Sequence, residues 1–133
     1  MTVHVRRTVL DDIEAHAREE WPNECCGLLV GRPESIETSY RARNELSSPT
    51  TYRVSPEDHF AAIRLARGLR LEVVGAYHSH LSSAPTPSST DRIEAVPGSF
   101  LYVIAGRAAD GQAAIQAWRL SDGNFTPVPL VTL

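Results

Sequence analysis

The stretch RLEVVGAYHSH, residues Arg70–His80, decides how this chain folds. Up to Tyr77 it is a largely apolar run, which is typical of a strand buried at the centre of a sheet. Side chains in a strand alternate between the two faces, so residues one apart point the same way. If the strand continues to its last residues, His78 and His80 project together and can share one metal ion.

Two helices are predicted, each of them ahead of a predicted strand. Over Thr8–Trp21 the apolar residues have helical spacing, and Thr8 with Asp11 resembles a capping box. Over Ser55–Leu69 the expected N-cap is Ser55. The apolar residues expected on one face of the first helix are Leu10, Ile13, Ala17 and Trp21. Those expected to form a stripe on the second helix are Phe60, Ile63, Ala66 and Leu69.

Further short segments complete a sheet around the apolar strand. A short helix is expected over Ser88–Val96. The chain is therefore predicted to be one domain, residues 1–133, of the α/β class in the mixed α+β sense, with a central mixed β-sheet flanked by helices. The other predicted strands are Cys25–Gly31, Ile36–Leu46, Thr51–Val54, Ser99–Gly106, Ala113–Leu120 and Asn124–Leu130.

Composition and charge exclude several classes of protein. The 133 residues are 42% hydrophobic and 22% charged, an ordinary globular balance. A net charge of −3 argues against a nucleic-acid binder that works by neutralising phosphates. The two cysteines, Cys25 and Cys26, are adjacent and poorly placed for a disulfide, and no secretory signal or membrane span is visible. A reduced, cytoplasmic protein is expected.

A third metal ligand is expected at Asp91, eleven residues after His80. It falls in the first turn of the predicted helix, and the intervening Ser/Pro-rich loop is long enough to return to the end of the strand. Imidazole nitrogens suit Zn²⁺, and a catalytic zinc usually takes three protein ligands and leaves the fourth position to water. Such a site lowers the pKa of bound water from ~15.7 toward ~7.

Two further residues are candidates for catalysis. Glu24 stands at the entrance to a buried apolar strand, where a carboxylate has no use in packing, and it could act as the general base on water. Ser88 comes three residues before Asp91, and its hydroxyl could donate to a developing oxyanion.

Each of these residues also has a purely structural interpretation. Ser88 and Asp91 are what a helix N-terminus favours, an N-cap and an acid in the first turn, and the two roles are compatible. Glu24 could be a solvated residue ahead of a strand, and the paired histidines could belong to the core or the surface. The two cysteines are expected to be small buried hydrophobes. No partner spacing is found for the remaining histidines, which are expected at the surface: His4, His16 and His59.

The spacing of these residues resembles a known motif. Glu24, then His78-Ser79-His80, seven residues, Ser88, two residues and Asp91 match the JAMM (MPN+) metalloprotease pattern E…H-S-H-x₇-S-x₂-D. The surrounding segments from about Val9 to Trp118 are also similar to this family. The short length resembles the stand-alone bacterial branch.

The resemblance implies a fold, a cofactor and a role for each motif residue. The family's fold is a mixed sheet flanked by helices, similar to the cytidine-deaminase layout. By resemblance, His78, His80 and Asp91 bind zinc, with no other cofactor. Glu24 is then the acid/base that activates water at the zinc, and Ser88 stabilises the tetrahedral intermediate.

The resemblance also implies a substrate class. The family cleaves peptide or isopeptide bonds after the C-terminal Gly-Gly of ubiquitin-like proteins, and the bacterial branch releases cysteine or another adduct from a sulfur carrier. Nucleic acid and membrane are not expected as partners, and the oligomeric state is left open, a homodimer included. The alternative is a catalytically silent scaffold of the same fold. A zinc hydrolase or deaminase that acts on a small molecule is less favoured, because the deaminase signatures H-x-E and P-C-x-x-C are missing from the sequence.

Overall fold

A mixed β-sheet organises this structure, a computed structural model that describes residues 2–80, 82–89, 91 and 100–133. Eight strands are found within those residues: β1 (Val3–Val5), β2 (Cys26–Arg32), β3 (Ser35–Ala42), β4 (Glu72–Ser79), β5 (Leu101–Arg107), β6 (Ala113–Ser121), β7 (Asn124–Val128) and β8 (Leu130–Thr132). Their order across the sheet is β7-β6-β5-β4-β2-β3-β1-β8.

Strand β4 lies at the centre of the sheet, as its apolar run predicts. It pairs in parallel with β5 and antiparallel with β2. It also continues past Tyr77 as far as Ser79, which carries the extended backbone to the paired histidines. The predicted fold class, a mixed α+β domain with a central mixed sheet, is confirmed.

Two helices cover opposite faces of this strand. They are α1 (Arg7–Glu19) and α2 (Pro56–Gly68). Tyr77 of β4 packs in one core cluster with Ile13 of α1, and its neighbour Ala76 packs in another with Ala62 of α2. Consecutive strand residues point to opposite faces, so one short strand anchors both helices. No helix in the described part of the chain has the length and apolar character that crossing a membrane requires.

The two edge strands of the sheet are joined through one residue. β7 and β8 occupy opposite ends of the strand order, yet only Pro129 separates them. The end of β7 and the start of β8 are two residues apart along the chain, a distance of at most roughly 7 Å. The sheet must therefore curl until its two edges come close together. Val128 of β7 accordingly lies in the same core cluster as Val3 of β1. The predicted strand Asn124–Leu130 is thus two strands, which lie at opposite edges of the sheet.

The helix caps differ from the sequence prediction. The capping box at Thr8 is wrong, because α1 begins at Arg7 and the N-cap position is occupied by Arg6, without a side-chain capping bond. Ser55 does occupy the N-cap of α2, but its side chain makes no capping bond either. Its hydroxyl instead accepts a hydrogen bond from Nη2 of Arg43 at 3.1 Å.

The predicted apolar stripe of α2 is correct only in part. Ala66 is buried and Ile63 is half-buried, as predicted. Phe60 and Leu69 are exposed, and Ala62, which lies outside the predicted stripe, is buried instead. Ala62 packs in one cluster with Ala76 of β4, and small side chains at this contact let the helix backbone approach the sheet closely. The larger apolar residues are left on the outer side of the helix.

Short or isolated segments were the hardest to predict. The strand expected over Thr51–Val54 is wrong, because it forms only a single bridge between Val54 and Asn44. The three-residue strand β1 has too few residues to show a period in the sequence. Beyond Ser89 and Asp91, which are helical, the short helix predicted over Ser88–Val96 lies outside the described residues.

One histidine expected at the surface is buried. His16 is 3% exposed, and its Nδ1 shares a hydrogen bond of 2.7 Å with the hydroxyl of Tyr77. Burial lowers the pKa of His16, which keeps the ring neutral near pH 7. The pair ties α1 to β4 through the core. His4 and His59 are exposed, as predicted.

Candidate metal centre

Three side chains from two elements converge at one end of the central strand. His78 and His80 come from the end of β4 and the residue after it, and Asp91 comes from the first turn of a helix. The Nε2 atoms of the two histidines are 3.3 Å apart. Each of them lies 3.2 Å from the same oxygen, Oδ2 of Asp91. The predicted ligands are therefore brought together, although eleven residues of chain separate His80 from the aspartate.

These spacings fit a small tetrahedral ion. Zinc bound at about 2.0–2.1 Å in tetrahedral geometry separates its ligand atoms by roughly 3.3 Å. The observed triangle, with sides of 3.2 and 3.3 Å, matches that value. Two imidazole nitrogens and one carboxylate oxygen are also a donor set that zinc accepts. The arrangement is compatible with a bound metal ion.

The helix start holds the aspartate in place. The backbone N–H of Ser88 donates to Oδ2 of Asp91 at 2.8 Å, and the backbone N–H of Asp91 donates to the Ser88 hydroxyl at 3.1 Å. This is the reciprocal pattern of a capping box, so the structural interpretation of both residues is correct. It does not compete with metal binding, because a carboxylate oxygen has more than one acceptor site.

Both histidine rings are oriented by neighbours outside the triangle. Nδ1 of His80 lies 3.0 Å from the carbonyl oxygen of Ala84, which makes it the protonated nitrogen and leaves the Nε2 lone pair facing the centre. The ring of Tyr52 stacks on that of His78, with centroids 4.3 Å apart and planes inclined by 18°. These contacts fix the rings before any ion binds.

The charges at the centre are strongly coupled. Burial alone would raise the pKa of Asp91, but hydrogen bonds from His78 and His80 outweigh it and hold that pKa well below its usual range. Burial lowers the pKa of His78. Burial also opposes the charged form of His80, but the hydrogen bonds with Asp91 and with Ala84 raise its pKa overall. The site thus combines an ionised carboxylate with a neutral imidazole, both of them forms that bind metal.

Glu24 is buried beside this centre rather than solvated. It is 5% exposed, and its carboxyl group interacts electrostatically with His80 and Asp91. Burial raises its pKa to about 7, against a lowering by the charge of His80. A carboxyl group with that pKa exchanges protons readily near neutral pH. The interpretation of Glu24 as a solvated residue before a strand is excluded by its burial.

Three hydrogen bonds hold the backbone around Glu24. Its N–H donates to the carbonyl of Ser48 at 2.8 Å, and its carbonyl accepts from Nδ2 of Asn44 at 3.1 Å. The next N–H, that of Cys25, donates to the hydroxyl of Ser79 at 2.9 Å. Ser79 stands between the two histidines and points to the other face of β4. It therefore links the strand that carries the ligands to the chain that carries the carboxylate.

The side chain of Asn44 holds together the loop between β3 and α2. Its amide nitrogen donates to the carbonyls of Glu24 and Thr51, at 3.1 and 3.0 Å. Its amide oxygen accepts from the N–H groups of Leu46 and Arg53, at 3.0 and 3.1 Å. Both donors and both acceptor positions of the side chain are thus used. The loop it closes carries Tyr52, which stacks on His78.

The structure adds positioning residues that spacing could not reveal. Asn44 contacts the backbone of Glu24, Tyr52 stacks on His78, and Ser79 accepts from the N–H of Cys25, the residue after Glu24, but none of the three shows a ligand or nucleophile pattern in the sequence. Ser79 could have been found from strand alternation, because it must face away from the two histidines. The other two depend on how the loop between β3 and α2 folds back, which has no periodic signal.

The chain matches a described family over most of its length. Residues 6–121 match the family described as "Prokaryotic homologs of the JAB domain". The matched region runs from the residue before α1 to the end of β6 and contains every residue of the motif, from Glu24 to Asp91.

The chain is also similar to several named proteins. The chain is 32% identical to a desampylase of Pyrococcus furiosus over 101 residues, which cover 76% of this chain and 69% of that protein. It is 30% identical to a CysO-cysteine peptidase of Mycobacterium tuberculosis over 129 residues, 95% of this chain and 88% of the other. It is 34% identical to a probable TtuB-protein conjugate cleaving protease of Thermus thermophilus, covering 100% of this chain and 84% of the other.

The fold is similar to a solved structure as well. A protein of Desulfitobacterium hafniense superposes with a TM-score of 0.89 at 23% identity, covering 99% of this chain and 93% of that chain. The similarity extends over the whole sheet and therefore includes the strand end at which the three side chains meet.

Proposed function

Because the chain belongs to the family of prokaryotic homologs of the JAB domain, we propose that it is a zinc-dependent peptidase and isopeptidase. It hydrolyses the amide bond after the C-terminal glycine of a ubiquitin-like or sulfur-carrier protein. The names of its relatives support this substrate class, since they include a desampylase, a CysO-cysteine peptidase and a probable conjugate-cleaving protease. A carrier–cysteine adduct is one substrate of this kind.

One observation carries the proposal. Three metal-binding atoms lie within 3.2–3.3 Å of one another, and the buried carboxyl group of Glu24 interacts with two of their side chains. A catalytically silent scaffold of the same fold has no need of a buried acid with a pKa near neutrality. The hydrolase is therefore the better account of the site.

His78, His80 and Asp91 would hold the zinc ion. When bound, the ion polarises the scissile carbonyl and makes water acidic enough to attack near neutral pH. Oδ2 of Asp91 faces both imidazoles, so the ligand set carries one negative charge and two neutral donors.

Glu24 acts as the proton carrier. It accepts a proton from the attacking water and passes it to the amine nitrogen as the C–N bond breaks, so that the carbonyl carbon gains the hydroxyl group. Burial raises the pKa of Glu24 to about 7 in the metal-free protein, and a bound cation would favour the carboxylate, which is the form that accepts the proton from water. The buried position excludes bulk water from the transfer.

Ser88 supplies a donor to the oxyanion. Its hydroxyl oxygen accepts the Asp91 N–H at 3.1 Å, and this leaves the hydroxyl proton free for donation. Donors of this kind in an acyl-transfer site contribute on the order of 10²–10³ in kcat.

The proposal is tested with the purified protein and a ubiquitin-like carrier that ends in Gly-Gly followed by one cysteine. We expect about one zinc per chain, release of cysteine, loss of turnover on chelation and recovery with zinc. A metal-loaded protein that leaves both this adduct and an isopeptide-linked conjugate intact would favour the scaffold instead.

A further inference from the structure

A cavity of about 400 Å³ opens beside His80, on the α1 side of the sheet. Its walls come from α1 and from the neighbouring ends of β5 and β6. The volume is within the range of small-molecule sites and exceeds that of a single amino acid residue. No motif residue other than His80 lines it, and neither the ligand set nor Glu24 accounts for it.

The walls are largely apolar. They include Ala105, Ile115 and the ring of Trp21, which is 60% exposed. His80 also lines the cavity, and its backbone N–H donates to the carbonyl of Ala105 at 2.8 Å, so the wall strand is tied to the residue that carries one candidate ligand. At Gly106 an added Cβ would point away from the Ala105 face and lie 2.5 Å from the carbonyl oxygen of Ser83, so the loop after His80 packs against the back of this wall.

The rim of the cavity is positively charged. Arg18 of α1 and Arg107 of β5 line it together with one acid, Glu14. Arg107 follows Ala105 by two strand residues, roughly 7 Å, and therefore points to the same face. Among the described residues, neither guanidinium has a hydrogen-bond or ion-pair partner in the structure. The rim thus offers two free forked donors to an anion.

We propose that this cavity binds the leaving group, and that the leaving group is a free amino acid whose α-carboxylate pairs with Arg18 and Arg107. This inference rests on the proposed function and decides between its possible substrates. A Gly-Gly tail has no side chain to fill an apolar cavity, and its own carboxylate is consumed in the amide bond. A lysine in an isopeptide conjugate brings no free α-carboxylate.

A single amino acid attached to the carrier has both properties that the cavity selects. Its side chain, thiol or small apolar, meets the apolar walls. Its carboxylate lies one carbon from the scissile nitrogen, and the cavity that holds both arginines is lined by His80, one of the proposed zinc ligands. The relative of Mycobacterium tuberculosis named as a CysO-cysteine peptidase has a substrate of this type in its name.

The test compares two substrates that differ in one group. A carrier ending in Gly-Gly-Cys is prepared with a free α-carboxylate or with an α-carboxamide, and kcat/KM is measured for each. We expect the wild-type protein to prefer the carboxylate by about ten-fold to a hundred-fold, the effect of charge-assisted hydrogen bonds. Arg18→Gln and Arg107→Gln should reduce this preference, because they should lower kcat/KM for the carboxylate adduct much more than for the carboxamide. Arg67→Gln, on α2 and outside the cavity, is the matched control and should retain the preference.

The possible failures are distinct. If the wild type hydrolyses both adducts equally well, the carboxylate site is overturned and the proposed function stands. Variants that slow both substrates equally, or that slow an isopeptide-linked conjugate as much, would assign the cavity to the carrier tail or to the fold. If the zinc-loaded wild type cleaves neither adduct nor the conjugate, the proposed function falls, and this inference falls with it.

Discussion

Glu24 is the residue on which the chemistry depends most. We predict that Glu24→Gln keeps its zinc but loses on the order of 10²–10⁴ in kcat, since glutamine has a similar shape and cannot carry a proton. Single-turnover hydrolysis and metal analysis of the same preparation check this. Cleavage at the wild-type rate would remove Glu24 from the mechanism.

Asp91 is the only ligand of the three that comes from outside the strand end. Asp91→Ala should weaken zinc binding by more than the ~10–100-fold that is typical of residues supporting a metal ligand, because it deletes a ligand itself. Competition with a chromogenic chelator measures the affinity. Asp91→Asn keeps the size of the side chain and controls for packing. Full zinc occupancy in the alanine variant would mean that the third ligand lies elsewhere.

Ser88 combines a structural with a proposed catalytic role, and substitutions can separate them. Ser88→Asn retains an N-cap but has no hydroxyl, so we expect normal unfolding and a kcat lower by on the order of 10²–10³. Ser88→Thr keeps both properties and should remain active. If kcat follows only the loss of stability across the series, the hydroxyl serves the helix alone.

Among single residues, the sequence predicted the three candidate ligands but not the residues that position them. A fixed spacing joins His78, His80 and Asp91 along the chain, and the structure brings them together. Asn44 and Tyr52 have no such spacing, because their contacts arise where a loop returns to the strand.

At the scale of elements, the loop between β3 and α2 is the support for Glu24. Asn44→Ala removes four hydrogen bonds and leaves two part-buried carbonyl groups unpaired, so we predict a loss of about 1–3 kcal/mol in the free energy of unfolding and a lower kcat. Hydrogen exchange should speed up over residues 45–53, with the zinc content unchanged. Asn44→Asp keeps the acceptor half of the network and should be intermediate. Unaltered exchange in that loop would refute the role of Asn44.

The regular elements were predictable where the segment was long enough to show a periodic apolar pattern. α1, α2 and the central strand form where their apolar patterns predict them, but the residues that α2 buries differ in part from the prediction. Ala66 is buried as predicted, whereas the apolar pattern also favoured Phe60 and Leu69, which are exposed. A close helix–sheet contact selects small side chains, so Ala62 is buried in their place.

At the scale of the whole molecule, the buried acid makes folding depend on pH. In the metal-free protein the pKa of Glu24 is raised to about 7, from an ordinary value of 4.5. Below pH 4.5 the carboxyl group is protonated in both the folded and the unfolded state, so its burial carries no charge penalty. As the pH rises from 4.5 through 7, the unfolded state releases its proton first, so this residue's contribution to stability is lost.

We therefore predict that the stability of the wild type relative to Glu24→Gln falls over this interval and levels off above it. Denaturant unfolding of both proteins without metal, at pH 5 and pH 8, measures the difference. Zinc-loaded samples are the control, since a nearby cation favours the carboxylate and should flatten the dependence. A difference between the two proteins that is the same at both pH values would show that the carboxyl group is not buried in solution.

The sequence by itself determined the central strand, the fold class and the three candidate metal ligands, because period and spacing are properties of neighbouring residues along the chain. Tertiary structure alone decided that β7 and β8 serve opposite edges, that α2 buries its alanines, and that an arginine rim borders the cavity beside His80. Those features depend on contacts between distant segments, whose geometry is set by how the sheet curls and how closely the helices pack on it.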